Sequence, residues 1–293
     1  MQTLEVIRRS IATAEELQSV VRMMKGVAAA NIREFERAVT SLADYSRAVE
    51  LGLQALLSSR PERLVLTEPD PPGRLGAVVF GSDQGMCGRF NQQIAAHAVA
   101  EIAGHGTSSE RTVLVVGTRI VPLLEMDGLE VDERVGTASS LDGIAPLVQE
   151  VLMRVESWRS SGTADRIVLY YNRALGGPRY APHTHRLFPV DLAWLHELRT
   201  REWPSNELPI HTMGWDDLFS SLIREWLYVG IFRAAAESMA GENASRLASM
   251  QAAQRNIEDR LEELQVHFRH VRQQAITEEL LDIISGFEAL STG

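Results

Sequence analysis

The sequence predicts an α/β fold in which a central Rossmann-like α/β domain is flanked by long N- and C-terminal helices that pair as an antiparallel coiled coil. Three observations predict it. The first 57 residues carry a proline-free heptad pattern, a second proline-free helical stretch follows Pro209, and between them short β-branched runs alternate with helix-like segments. The expected organisation is a coiled-coil helix over 1–57, a linker over 58–73, a central domain over 74–209, and a C-terminal coiled-coil helix with its tip over 210–293.

The first helix has Gly26 and Gly52 as its only glycines. One heptad position reads Ile7, Ala14, Val21, Ala28, Phe35, Leu42, Val49 and Leu56, all apolar. The companion position reads Leu4, Ile11, Gln18, Lys25, Ile32, Val39, Ser46 and Leu53, with polar interruptions at Gln18, Lys25 and Ser46. A 3.5-residue period held this long is the pattern of a coiled-coil seam, with one amphipathic bundle helix as the plainer alternative. At 1.5 Å per residue such a helix is about 80 Å long. Pro61, Pro69, Pro71, Pro72 and Gly73 then end the pattern, because proline removes donors and opposes helix.

In the middle third, residues 75–80, 112–116 and 166–171 are short apolar runs, with helix-like stretches at 91–103 and 144–158 between them. This alternation predicts a mainly parallel sheet with crossover helices. Residues 179–190 read as an antiparallel edge strand with a loop, and the proline-bearing segment to Pro209 as irregular.

From Trp215 to Phe287 the helical period is unbroken by proline. Its seam reads Leu247, Met250, Gln254, Ile257, Leu261, Leu264, Phe268, Val271 and Ala275, then shifts phase to Ile276, Leu280, Ile283 and Phe287. Its length is about 110 Å if continuous. The two helices are therefore unequal, and the excess of the second carries apolar positions that nothing in the chain can cover. A surrounding partner is implied.

Composition bounds the function. With 45% apolar and 23% charged residues the chain reads as an ordinary soluble protein, and a net charge of −10 argues against binding nucleic acid through a basic surface. Cys87 is the single cysteine, so no internal disulfide is possible. No apolar run reaches the roughly 20 residues of a membrane span, and the N-terminus is not a signal peptide. The 81–88 turn lacks a Walker lysine and GxGxxG spacing, so it reads as a tight strand-to-helix turn with Asp83 or Asn91 capping, and Cys87 as a small packed residue. The pairs His183/His185 and His267/His270 lack the further ligands of a metal site. No catalytic residues, no metal and no directly bound cofactor are expected.

Three motifs resemble the gamma-subunit family of F-type ATP synthases. Near the start stand Ile7-Arg8-Arg9-Ser10-Ile11 and Met23-Met24-Lys25-Gly26-Val27-Ala28-Ala29-Ala30. After the first strand comes Gly81-Ser82-Asp83-Gln84-Gly85-Met86-Cys87-Gly88-Arg89-Phe90-Asn91, with Tyr170-Tyr171-Asn172-Arg173 at a later strand end. Near the close is Arg272-Gln273-Gln274-Ala275-Ile276-Thr277-Glu278-Glu279-Leu280. The set runs in the family's order along nearly the whole chain. Ser19 and Asn31 replace family lysines, Met23 an alanine and Gln84 an arginine, and Gly286-Phe287 replaces the usual Gly-Ala ending. These departures point to a divergent branch, such as the alternative F-type ATPases of some bacteria.

The resemblance implies a central-stalk rotor, non-catalytic in itself, in a proton- or sodium-transporting two-sector ATPase on the cytoplasmic face of the bacterial plasma membrane. Its implied partners are the alpha and beta subunits of the catalytic ring, the epsilon subunit and the c-ring of the membrane sector, with no direct membrane insertion. Contacts to the ring fall by resemblance on Met23, Met24 and Lys25, and on Arg272, Gln273, Thr277 and Glu278. A methionine adapts to several packings, a lysine at a heptad core position calls for a carboxylate, and Gln273 and Thr277 share one helix face. Two other classes stay open: an α/β ligand-binding or enzymatic domain dimerised by its coiled coil, with a pocket at the strand C-termini, and a scaffold whose helices are fully paired.

Overall fold

A computed structural model describes residues 2–59, 73–105, 110–175, 179–204 and 209–291, with side chains from Leu4 to Ile284 at the two ends. Helix α1 (Gln2–Ser59) and helix α6 (Trp215–Ser291) are each continuous. Between them lie β1 (Leu75–Phe80), α2 (Phe90–Ala103), β2 (Arg111–Val116), α3 (Val121–Met126), β3 (Glu133–Val135), α4 (Ile144–Ser160), β4 (Arg166–Ala174), β5 (Tyr180–Phe188) and α5 (Leu192–Thr200). Most of the expected linker, 60–72, lies outside the described residues, as do the side chains at Gly286 and Phe287.

The chain divides into two compact units, Met1–Val27 with Leu247–Gly293, and Ala28–Arg246. The larger unit is built on a five-stranded sheet in the order β3-β2-β1-β4-β5. β1 pairs in parallel with β2 and β4, β2 with β3, and β5 is the antiparallel edge. β1 is buried along its whole length, as a parallel strand covered on both faces must be. Ala77, Val79, Val113 and Val115 face Ile94, Ala98 and Ile102 of α2 and Leu124 of α3. On the opposite face Val78, Phe80, Leu114 and Val116 meet Val148, Val151 and Val155 of α4, and also Phe35, Leu53 and Leu57 of α1 and Leu227 and Ile231 of α6. The long helices thus do the work of crossover helices on one side of the sheet.

Within this unit α1 and α6 run antiparallel. Asn31 Nδ2 donates to Asn243 Oδ1 at 3.4 Å, Tyr45 Oη to Glu225 Oε2 at 2.6 Å and Trp215 Nε1 to the Leu56 carbonyl at 3.1 Å. The smaller unit is a two-helix seam. Ile7 and Val21 of α1 and Met250 and Leu261 of α6 are buried, and Leu4, Ile11, Ile257, Leu264, Phe268 and Val271 are half-buried. The Arg8 guanidinium lies 5.8 Å from the Phe268 ring centroid, which fixes the same antiparallel register there.

One expectation needs correcting. The proline-bearing segment before Pro209 is not wholly irregular, since α5 occupies 192–200. Asp191 caps it, its Oδ1 accepting from the Ala193 amide at 2.8 Å and the Trp194 amide at 3.4 Å, and Leu195 and Leu198 are buried. A cap followed by leucines at three-residue spacing is local information that outweighed the flanking prolines.

Candidate functional site

The seam of α6 is covered as far as Ala275: every seam position from Leu247 to Ala275 is buried or half-buried. Beyond that point the pattern fails at once. Ile276, Leu280, Leu281, Ile283 and Ile284 are exposed, each by 48% to 67%. Leaving such side chains in water forgoes about 1.5–3 kcal/mol apiece relative to full burial. The phase shift at Ile276 therefore marks the place where α6 loses its partner helix. Arg272, Gln273, Thr277 and Glu278 are exposed beside this apolar surface. The Thr277 hydroxyl donates to the Gln273 carbonyl at 2.9 Å, which uses its proton and leaves its oxygen able to accept.

Met23, Met24 and Lys25 lie on α1 in the same unit but at a different level. Lys25 Nζ donates to Gln254 Oε1 at 2.6 Å, and Gln254 Nε2 donates in turn to Glu258 Oε1 at 2.7 Å. Gln254 is 18 residues before Arg272, about 27 Å along the helix. The two groups of candidate contacts are thus separate places on one surface. The lysine in the seam also has an intramolecular explanation that spacing alone did not supply. The polar interruption of α1 meets the polar interruption of α6, which pins the register of the pair.

Met23 is exposed while Met24 is half-buried. With Leu17, Val20 and Val27, Met23 forms an exposed apolar strip on the face of α1 turned from the seam. Sequence reasoning missed this strip because it followed the stronger seam. Its signal was there as apolar residues at steps of three and four along a second face.

The turn after β1 is a clamp internal to the larger unit. Asp83 Oδ1 accepts from the Thr118 amide at 2.7 Å and its hydroxyl at 2.8 Å, while Oδ2 accepts from the Thr137 amide at 2.5 Å and its hydroxyl at 3.0 Å. Burial pushes the Asp83 carboxyl up, but these four bonds outweigh it and hold its pKa below the ordinary value. Neither Asp83 nor Asn91 caps α2, contrary to expectation. The cap position is Arg89 without a side-chain bond, and Asn91, already inside the helix, accepts from the Ser82 amide at 3.0 Å and donates to Ser82 Oγ at 2.8 Å. Cys87 is buried against Ser82 and Asn91. Gly117, at φ +97, lies so close to Gly81 that a Cβ would sit 2.8 Å from the Gly81 carbonyl carbon.

From α6, Ser245 Oγ donates to the Cys87 carbonyl at 2.5 Å, and Arg246 reaches the Gln84 and Gly85 carbonyls while pairing with buried Glu242. The carboxyl ends of β1 and β2, where an α/β enzyme would open its pocket, are therefore occupied by the chain's own groups. His183 and His185 line a cavity of about 470 Å³ with Arg173, Arg233 and Glu237. Burial lowers the pKa of both, that of His185 to about 4, so they are neutral near pH 7. His267 and His270 are exposed on α6.

The family model described as ATP synthase matches residues 3–290. The ATP synthase gamma chain of Sulfurovum sp. (strain NBC37-1) is 26% identical over 303 residues, covering 99% of this chain and all of that one. That of Syntrophus aciditrophicus (strain SB) is 27% identical over 304 residues, covering both chains completely. In the solved rotor of Euglena gracilis mitochondrial ATP synthase, a chain superposes with a TM-score of 0.65 at 15% identity, over 94% of this chain and 99% of that one. This last likeness is one of fold.

Proposed function

This chain belongs to the ATP synthase family, and from that membership we propose that it is the gamma-type central-stalk rotor of an F-type ATP synthase or ATPase. In this role it couples proton or sodium translocation through the membrane sector to ATP synthesis or hydrolysis in a ring of alpha and beta subunits. It performs no bond chemistry of its own. Epsilon and the c-ring are its other partners, and the complex is peripheral at the cytoplasmic face of a bacterial plasma membrane. Among the described residues no helix is long and apolar enough to cross a membrane.

The observation that supports this reading most is the bare end of α6. An axle turning inside a ring needs an apolar surface without fixed hydrogen bonds, and Ile276, Leu280, Ile283 and Ile284 supply it. It also needs a few groups that engage ring loops transiently, and Arg272, Gln273, Thr277 and Glu278 are exposed for that purpose. Met23 and Met24 present an adaptable surface at a second level, beside Lys25 in the seam. Similarity to gamma chains over 99% to 100% of this chain and the whole of each relative supports the same architecture.

Co-expression of this chain with alpha and beta subunits of an F-type ATPase tests the reading. A stable complex with ATPase activity that disappears when this chain is omitted is the expected result. Failure to form any ring complex, with this chain instead a stable homodimer that binds a small ligand, would replace it by the ligand-binding alternative.

A further inference from the structure

Beside the amino-terminal end of β4, a cavity of about 740 Å³ opens between β5, α5 and the first turns of α6. That volume is within the range of small-molecule sites. Its walls are apolar: Phe188, Leu192, Leu195, Phe219, Ile223 and Leu227. Its charged lining groups are Arg159, Arg224 and Glu156, two guanidiniums against one carboxylate. Arg224 Nε takes Glu156 Oε1 at 3.1 Å.

Arg159 is left without a carboxylate of its own. Its guanidinium carbon lies 3.9 Å from the centroid of the Phe188 ring, a cation–π contact that uses none of its N–H donors in a hydrogen bond to oxygen. Among the described residues the guanidinium makes no hydrogen bond or ion pair, so its in-plane N–H donors remain available, and they form a fork matched to a carboxylate. Burial lowers its pKa, with Glu156 opposing, which reports a cation partly stripped of water. A guanidinium held against the Phe188 ring and lining an apolar cavity is complementary to an amphipathic anion.

We propose that this cavity binds a single-chain amphipathic carboxylate, its tail among Leu195, Phe219 and Ile223 and its head group on Arg159. The alternative ligand of the same length, a neutral alcohol, would satisfy the walls and leave the guanidinium unpaired. A double-chain anionic lipid held in a bilayer would offer the charge without a free tail.

The test is calorimetric titration of the full-length chain with dodecanoate, 1-dodecanol and phosphatidylglycerol vesicles, each repeated on Arg159→Gln and Leu192→Trp. Arg159→Gln removes the charge at a half-exposed position, and Leu192→Trp fills the cavity from its wall. The expected result is saturable one-to-one binding of dodecanoate, weakened about tenfold or more by Arg159→Gln, the loss of a charge-assisted bond. Leu192→Trp should abolish it, and the alcohol should bind more weakly than the acid. Circular dichroism checks that both variants fold, and if Leu192→Trp does not, the Arg159→Gln comparison decides alone. Absence of saturable dodecanoate binding overturns the proposal. So does binding unchanged in Arg159→Gln, which would be unspecific apolar association, and so does Arg159-dependent binding to vesicles without binding of free dodecanoate.

Discussion

Residues 231–246 and 272–284 belong to one helix, yet the first stretch is almost entirely buried and the second has no buried side chain. Their compositions run opposite to what a self-sufficient protein would choose. Half of the buried stretch is small residues, including Ala234, Ala235, Ala236, Ala240, Gly241 and Ala244, which let the helix backbone approach the sheet. Gly241 shows how close: a Cβ there would lie 3.4 Å from the Asn172 carbonyl oxygen. The bare stretch carries large aliphatic side chains that gain most from burial. Small residues stand where the chain covers itself, and large ones where, among the described residues, it does not.

The comparison breaks most readily at its buried end. Glu242 and Arg246 pair with 10% and 8% side-chain exposure. Arg246→Leu would leave the Glu242 carboxylate buried and the Gln84 and Gly85 carbonyls without their donor. Unfolding in urea should show a loss of about 3–5 kcal/mol. If the loss is below about 1 kcal/mol, the polar end of this stretch is not held as described.

A smaller effect is expected at the clamp beneath it. Asp83→Asn replaces an oxygen acceptor by a donor against Thr118 or Thr137, for about 1–3 kcal/mol near neutral pH. The folded pKa of Asp83 lies below its unfolded value. Its stabilisation is therefore complete above the ordinary aspartate pKa of about 4 and is lost as pH falls through the lower folded value. Unfolding curves between pH 2 and 6 should show this acid limb weakened in the variant.

In the seam the change should be slight. Lys25→Met exchanges a hydrogen-bonded cation for an apolar side chain of similar length and leaves Gln254 its bond to Glu258. Thermal unfolding should shift by less than about 1 kcal/mol in either direction, while the register becomes less tightly specified. Cysteine cross-linking between the two helices would report that loosening.

The bare stretch should be the least sensitive of all. Ile276→Ser with Ile283→Ser is expected to change the stability of the isolated chain by no more than about 0.5 kcal/mol. The same variant in an alpha–beta complex should turn over ATP more slowly. A large loss of stability in the isolated chain would mean that these side chains are covered intramolecularly, which would erase the contrast.

Sequence and structure agree where information is local. The Ile7-to-Leu56 position held apolar residues at every heptad, and each is buried or half-buried. The strand runs were equally plain, because parallel strands covered on both faces are continuously apolar. What could not be read depended on distant pairing. Asp83 meets Thr118 and Thr137, 35 and 54 residues away, so a carboxylate that looked like a helix cap is a clamp across the sheet end. Lys25 and Gln254 stand 229 residues apart, and neither spacing names the other. Glu242 and Arg246 stand at the spacing of any helical ion pair, and only the depth at which α6 is buried makes them structural. At the candidate contact residues the sequence offered exposure and chemistry, while their separation along α6 came from the Lys25–Gln254 register.

The point at which α6 loses its partner has a mechanical meaning. Between Leu247 and Ala275 the seam of α6 is covered, so within the smaller unit a twist applied to one helix is shared by both. Past Ala275 a single cylinder, with no proline to act as a joint, carries any twist alone. Angular compliance is thus concentrated in the last turns of the helix.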